Sequence, residues 1–440
     1  MIELLKRSFG REPNKIAYST SSESVTYAQL WDDASKLAFK LKGNKKPVIV
    51  KGHKQAYMIT AFVACIMASR PYIPCDSSMP EGRIKRIIEL SGADTVIDRP
   101  ISDGGERLTD FDENDDDIVY IIFTSGSTGE PKGVPISRGN LKAFINWITS
   151  LPALEGAKGK TVLNQARFSF DLSVADIYFS LCTSSTLFAL TAEEQSDPAR
   201  LSELILNSNA SMAVMTPTFA KHCMISPDFQ KDNLPNLSSV FFCGEQLEPK
   251  TAAKLFNRFA GIRIINAYGP TEATCAVTAS EITPKDVDND YLPCGDVNNG
   301  TCRIEITDGE IALSGASVFN GYLGEERIAD KYLTGDKGEI SAGMLYCLGR
   351  KYGYIKYKGH RIELEEIRRT ISAIENVEQC SVYTIGDKTV LGIAACVTAN
   401  NLTEHEIKEK LRSVLPYYMI PKTIKIKNEI SFNGNGKQNF

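Results

Sequence analysis

The sequence predicts an α/β protein with a large N-terminal domain of helix-covered, mostly parallel β-sheets and a small α+β domain behind it. Three observations carry this reading. Short, wholly apolar and β-branched runs recur at PVIV (47–50), IVYIIF (118–123), MAVM (212–215), SVFF (239–242) and RIIN (263–266), the texture of strands buried on both faces. Helical patterns alternate with them, as at 137–149 and 249–259, which gives the βαβ order of a parallel sheet and directs attention to strand C-termini as ligand sites. Past Gly349 the texture changes. IKYKGHRIELEEIRRTISAIENV predicts a strand, a glycine turn and a helix with Ile367, Ile371, Ile374 and Val377 on one face. Two strands follow, CSVYTI and VLGIAACV, then a helix whose Thr403 and Glu406 have capping-box spacing, then the strand TIKIK. The second unit thus reads β-α-β-β-α-β over about 90 residues. Domains are expected at 1–349 and 350–440, with a linker at 349–352 able to act as a hinge.

Composition narrows the function. The 440 residues exceed one ordinary core and suit a two-domain enzyme. Lysine and arginine number 50 against 54 acidic residues, net −4, with no polybasic block, which argues against nucleic acid or an anionic membrane as partner. The acidic run 112–117 reads as a solvated loop before a strand. Eleven cysteines are scattered without CxxC pairs, so neither a zinc site nor a disulfide framework is indicated, and the thiols read as reduced and mostly buried. The start, MIELLKRSFG, has no signal-peptide core, and the longest apolar run, 61–68, falls far short of the roughly 18 residues of a membrane span. A cytoplasmic monomer is expected.

The stretch FTSGSTGEPKG (123–133) follows an apolar run. A glycine-rich turn after a buried strand exposes backbone N–H groups to phosphate oxygens, while hydroxyls and a lysine add donors and charge. ATP is the guest this predicts. The loop lacks the GK[ST] ending of a P-loop, so that class of nucleotide enzyme is disfavoured.

SGSTGEPKG (125–133), YGPTEAT (268–274), YLTGD (332–336), GRKYGYIKYKGHRIELEEI (from 349) and NGNGKQ near the end, in this order, resemble the core motifs of the adenylate-forming (AMP-binding) enzyme superfamily. The resemblance runs from SVTYAQL (24–30) to Lys437. It implies a reaction in two steps, in which a carboxylate attacks the ATP α-phosphate to give an acyl-adenylate and pyrophosphate, and a thiol then takes the acyl group. It also implies a mobile C-terminal domain that turns between the steps. The first step brings two anions together, so donors and cations must gather at the site. By resemblance, Thr124, Ser125, Gly126, Ser127, Thr128, Gly129 and Lys132 hold the β and γ phosphates. Thr271 meets the α-phosphate, Glu272 holds Mg2+, and Tyr268 stacks on adenine within a nucleotide pocket shared with Gly244, Glu245, Asn266, Ala267 and Gly269. Asp336 takes the ribose hydroxyls with Arg350 beside it. Lys437 bridges the carboxylate and the α-phosphate as the catalytic lysine.

LNQARFSFDLSVADIYFSL (163–181), SVFFCGEQL (239–247) and INAYGPTEATCAVT (265–278) look like the amino-acid-activating branch, and within it like ligases that load D-alanine onto a carrier protein for teichoic acid. There Asp171 pairs with the substrate ammonium, as a buried carboxylate can when the ammonium satisfies it in return; an N-cap role for Asp171 is compatible with this. The resemblance lines the substrate pocket with Leu172, Ala175, Val214, Met215, Phe241, Cys243, Ala267 and Cys275, with Cys243 against the substrate side chain. The acceptor is the phosphopantetheine thiol of a separate carrier protein, or CoA. Departures exist: Tyr352 stands where the family carries a hinge aspartate, Ser184–Ser185 replace a glycine pair, and the region 296–343 is compressed. Two alternatives stay open, an adenylation enzyme for another small amino acid in peptide assembly, and a degenerate nucleotide-binding protein without turnover.

Overall fold

The computed structural model describes residues 1–101, 105–124, 130–298, 300–328, 330–351, 354–357, 360–386, 390, 392–399 and 401–427. The apolar runs are strands because each buries both of its faces. In Ala210–Met215, Ser239–Phe242 and Arg263–Tyr268, Met212, Val214, Phe241, Ile265 and Ala267 belong to one apolar core, and Ala213, Met215, Val240, Phe242 and Ile264 to another. Successive side chains alternate across the pleat, so a strand between two cores must be apolar throughout.

These strands sit in an eight-stranded sheet ordered Thr278–Ile282, Arg263–Tyr268, Ser239–Phe242, Ala210–Met215, Thr161–Asn164, Thr186–Ala189, Ile16–Ser19, Ser24–Thr26. All its pairings are parallel except the outermost at each end. A five-stranded sheet runs Thr95–Ile97, Val48–Gly52, Tyr72–Asp76, Ile118–Thr124, Lys132–Ser137, with the first three pairings parallel. Helices Tyr27–Leu41, Ala56–Met67, Arg138–Ser150 and Leu172–Thr183 share one core with both sheets. A third sheet is wholly antiparallel: Gly295–Asp296, Met344–Arg350, Tyr332–Ser341, Glu310–Ser314, Arg303–Thr307. The helix expected from 137 starts at Arg138, because Ser137 is its N-cap in a capping box with Asn140. The acidic run is an exposed loop ahead of its strand, where Asp115 meets Lys142 at 3.0 Å.

The chain divides into two compact units, one of Met1–Ser77, Ser91–Ile122 and Gly133–Lys351, the other of Ser78–Leu90, Phe123–Lys132 and Tyr352–Phe440. The division expected at 349/350 has no counterpart for the two short excursions of the second unit. One of them is fixed there by the buried pair Arg83–Glu366 at 2.7 Å. Within this unit the predicted single strand is instead a hairpin, Tyr354–Tyr357 with His360–Glu363, before the helix Leu364–Ser372. Ile367 and Ile371 are apolar residues of its buried face; the helix ends at Ser372, so Ile374 lies past its end, and Val377 opens the strand Val377–Ile385 after Asn376, whose φ is 71°. That strand pairs with Gly392–Ala399, which pairs in parallel with Thr423–Ile426. The helix Glu404–Arg412 carries the expected Thr403/Glu406 capping box. Thr403→Ala is expected to cost about 1 kcal/mol, read as a lower denaturation midpoint of the full chain with an unchanged slope.

Candidate functional site

The C-terminal ends of the eight-stranded sheet gather the site. After Arg263–Tyr268 the backbone turns tightly, since a Cβ on Gly269 would lie 2.5 Å from the Cα of Ala276. The turn Thr271–Ala273 is closed by Thr274, whose φ is 76° and whose Oγ1 donates to the Ser317 carbonyl at 2.7 Å. Glu272 is wholly buried; the Tyr322 phenol donates to its Oε1 at 2.6 Å, and the Phe319 N–H to its carbonyl at 2.8 Å. Thr271 Oγ1 donates to Asp171 Oδ2 at 2.5 Å.

Asp171 is the N-cap residue of Leu172–Thr183 but makes no cap bond. Its carboxylate is turned to Thr271 instead. The segment leading to it is braced from several sides. Asn164 Nδ2 donates to the Ala166 carbonyl and to Asp176 Oδ2, and Arg167 pairs with Asp76, which also lies 2.6 Å from His53 Nδ1. Lys54, buried, donates through Nζ to the carbonyls of Gln165 at 2.8 Å and Leu190 at 2.6 Å. Burial pushes the Lys54 ammonium down to about 7, and burial likewise pushes the Asp176 carboxyl well up. An unfolded chain keeps the lysine proton up to the ordinary lysine range, so between pH 7 and about 10 unfolding takes up a proton and this contribution to stability rises with pH. The melting temperature of wild type minus that of Lys54→Met is therefore expected to increase from pH 7 to pH 9; a constant difference would show a lysine that stays charged.

Of the expected substrate pocket, Leu172, Ala175, Val214, Phe241, Cys243, Ala267 and Cys275 are buried in one core. Met215 is not with them. It follows Val214 on the strand, so it points to the opposite face and packs in the second core. Cys243 Sγ donates to the Cys275 carbonyl at 3.6 Å. The Cys275 thiol is pushed well up, first by its contact with Cys243 and then by burial, so it stays protonated.

Of the residues expected at the nucleotide, Asp336 and Arg350 face each other across the strands Tyr332–Ser341 and Met344–Arg350, with Nε 2.8 Å from Oδ1. The Tyr268 hydroxyl donates to Asp336 Oδ2 at 2.7 Å and contacts Thr334 Oγ1 at 3.3 Å; burial and then the Asp336 charge push this phenol well above its ordinary range. Gly244 has φ of 90°, a conformation that favours glycine. Glu245 accepts from the Thr218 N–H at 3.0 Å, and Asn266 Nδ2 donates to the Pro293 carbonyl at 2.9 Å, so both carry structural bonds. Thr124 ends the strand Ile118–Thr124 and Lys132 opens Lys132–Ser137. Ser125, Gly126, Ser127, Thr128, Gly129, Tyr352 and Lys437 lie outside the described residues. Tyr322 and Thr334 escape sequence reading. Their hydroxyls act on residues far along the chain, and only the glycine turn in VFNGYLG (318–324) and the motif YLTGD mark them.

The sequence matches the AMP-binding enzyme family over residues 5–111 and 100–323, and the AMP-binding enzyme C-terminal domain over 366–437. The chain belongs to the AMP-binding enzymes, which use ATP. It is 38% identical to a protein of Bacillus licheniformis named D-alanine--D-alanyl carrier protein ligase, over 99% of this chain and 97% of that protein. It is 36% identical to a Staphylococcus aureus protein of the same name, with the same coverage. In structure it resembles the Vibrio cholerae adenylation domain AlmE in complex with glycyl-adenosine-5'-phosphate, at a TM-score of 0.87 and 21% identity over 98% of this chain and 95% of that one. An NRPS protein containing adenylation and PCP domains gives a TM-score of 0.86 and 20% identity over 100% and 82%. These two likenesses speak for the fold. Among the described residues, no helix is long and apolar enough to cross a membrane.

Proposed function

We propose that this chain activates D-alanine with ATP and transfers it to the phosphopantetheine thiol of a separate carrier protein, the supply of D-alanine for teichoic acid in the cytoplasm. The observation that carries the reading is the buried carboxylate of Asp171 held at the turn that bears Thr271 and Glu272, because an acid with a cationic amine is the ligand that neutralises it. Its close relatives over the full length bear the matching name.

The chemistry follows from charge. The D-alanine carboxylate is already ionised, so no general base is required. One of its oxygens forms a bond to the α-phosphorus as the bond to the bridging oxygen breaks, and pyrophosphate leaves with that electron pair. The carrier thiol then adds to the acyl carbon, its proton is lost, and AMP departs. Asp171 takes the ammonium, Thr271 the α-phosphate, and Asp336 with Arg350 the ribose; Ala175, Val214, Phe241 and Cys243 limit the side-chain space. Lys437 is assigned the bridging cation on the NGNGK pattern. A magnesium ion would neutralise the phosphates there, and Glu272 is the carboxylate that would hold it.

ATP–pyrophosphate exchange with D-alanine, L-alanine, glycine, D-serine and amine-free acids tests the reading. D-Alanine is expected to exceed L-alanine by at least about 10-fold, a 1.4 kcal/mol preference. Preference for another amino acid would move the acceptor pathway to peptide assembly, and silence across the panel would overturn turnover altogether.

A further inference from the structure

Thr271 holds one hydroxyl proton, and two anions have a claim on it. In this structure it goes to Asp171 Oδ2 at 2.5 Å, between side chains that are 9% and 8% exposed. The turn that carries Thr271 is fixed independently of that bond: the Ala273 N–H meets the Pro270 carbonyl at 2.9 Å, Thr274 is tied to Ser317, and Glu272 to Tyr322. A carboxylate and a phosphate oxygen are both acceptors only. While the proton points at Asp171, Thr271 offers the α-phosphate a lone pair, which repels it.

We propose that the Thr271 proton is an interlock between the two ligands: the amino-acid ammonium, by taking over Asp171, releases this proton to the α-phosphate. The inference rests on the functional reading above and goes beyond it in making Thr271 a device that couples the pockets. The ammonium brings three donors of its own and a positive charge, so it satisfies the carboxylate better than a neutral hydroxyl does. An acid without an amine leaves the proton on Asp171 and so leaves the α-phosphate without its donor. Discrimination against such acids then acts at the nucleotide as well as in the substrate pocket. Because coupling is reciprocal, ATP must favour the amino acid by the same factor.

The test is calorimetric titration of the full chain with α,β-methylene-ATP, which cannot transfer its adenylyl group, and with D-alanine, each alone and with the other saturating. In the wild type each ligand is expected to tighten the other about 10-fold by equal factors, while propionate gives a factor near one. Thr271→Val is expected to bring the D-alanine factor to about one and to bind D-alanine alone at least as tightly as wild type, since a competitor for Asp171 is gone. Thr271→Ser, which keeps the proton, is expected to restore the coupling. Coupling that survives in the valine variant, a wild-type factor of one, or a serine variant that fails to restore a lost factor while folding normally each overturn the interlock. The exchange assay judges the reading separately. D-Alanine exchange with a coupling factor of one removes the interlock and keeps the reading, whereas coupling with a different amino acid keeps the interlock and removes D-alanine.

Discussion

Asp171→Asn is expected to lower kcat/KM for D-alanine in pyrophosphate exchange by at least about 100-fold. The substitution preserves shape and leaves an amide oxygen for Thr271 Oγ1, so the fold loses little, but it removes the charge. A buried ammonium facing an amide instead of a carboxylate forfeits about 3 kcal/mol, the scale of truncating one partner of a buried charged pair, and 1.4 kcal/mol is a factor of ten. The KM for ATP is expected to move far less, because Asp336 and Arg350 are untouched. Relative use of propionate against D-alanine should rise. Amino-acid use unchanged in this variant would show that the ammonium is held elsewhere and that Asp171 serves Thr271 alone.

The sequence was legible where one physical rule acts and illegible where two oppose each other. Runs such as SVFF and RIIN read directly because a strand between two cores has to be apolar on both sides. The same runs conceal which core each residue joins, and the resemblance, which lines the pocket with both Val214 and Met215, does not separate their two faces. The antiparallel strand Tyr332–Ser341 hides for the opposite cause. Its burial alternates, but the buried positions are Tyr332, Thr334, Asp336 and Gly338, while Leu333 is 49% exposed. Burial and hydropathy are out of register along it, because the inward face carries Asp336 with the Thr334 hydroxyl beside it. Motif resemblance singles out Asp336, and hydropathy patterning does not. The resemblance made Asp171 legible as a candidate partner for the substrate ammonium. Its bond to Thr271, 100 positions away, was not, since nothing local fixes which hydroxyl arrives there.

The second large effect is expected at Asp336. Its two oxygens are held apart in role, Oδ2 by the Tyr268 hydroxyl and Oδ1 by Arg350, and on the proposed reading the carboxylate so oriented takes a pair of ribose hydroxyls. Losing two charge-assisted hydrogen bonds removes about 3 kcal/mol, so Asp336→Asn is expected to raise the KM for ATP about 100-fold, with kcat changed much less and the KM for D-alanine within a few-fold. Tyr268→Phe removes one orienting donor and leaves the charge, and it is expected to raise the ATP KM by only about 5-fold, within the range of a single neutral hydrogen bond. Stability separates nucleotide binding from mere bracing. Asparagine leaves Arg350 without its counter-ion, so a lower melting temperature is expected in any case, and addition of ATP should raise it less than in the wild type. A variant that melts lower yet keeps the wild-type KM for ATP and the full ATP-induced shift would reduce Asp336 to a brace between strands, and the ribose would have to find its acceptors on another part of the sheet.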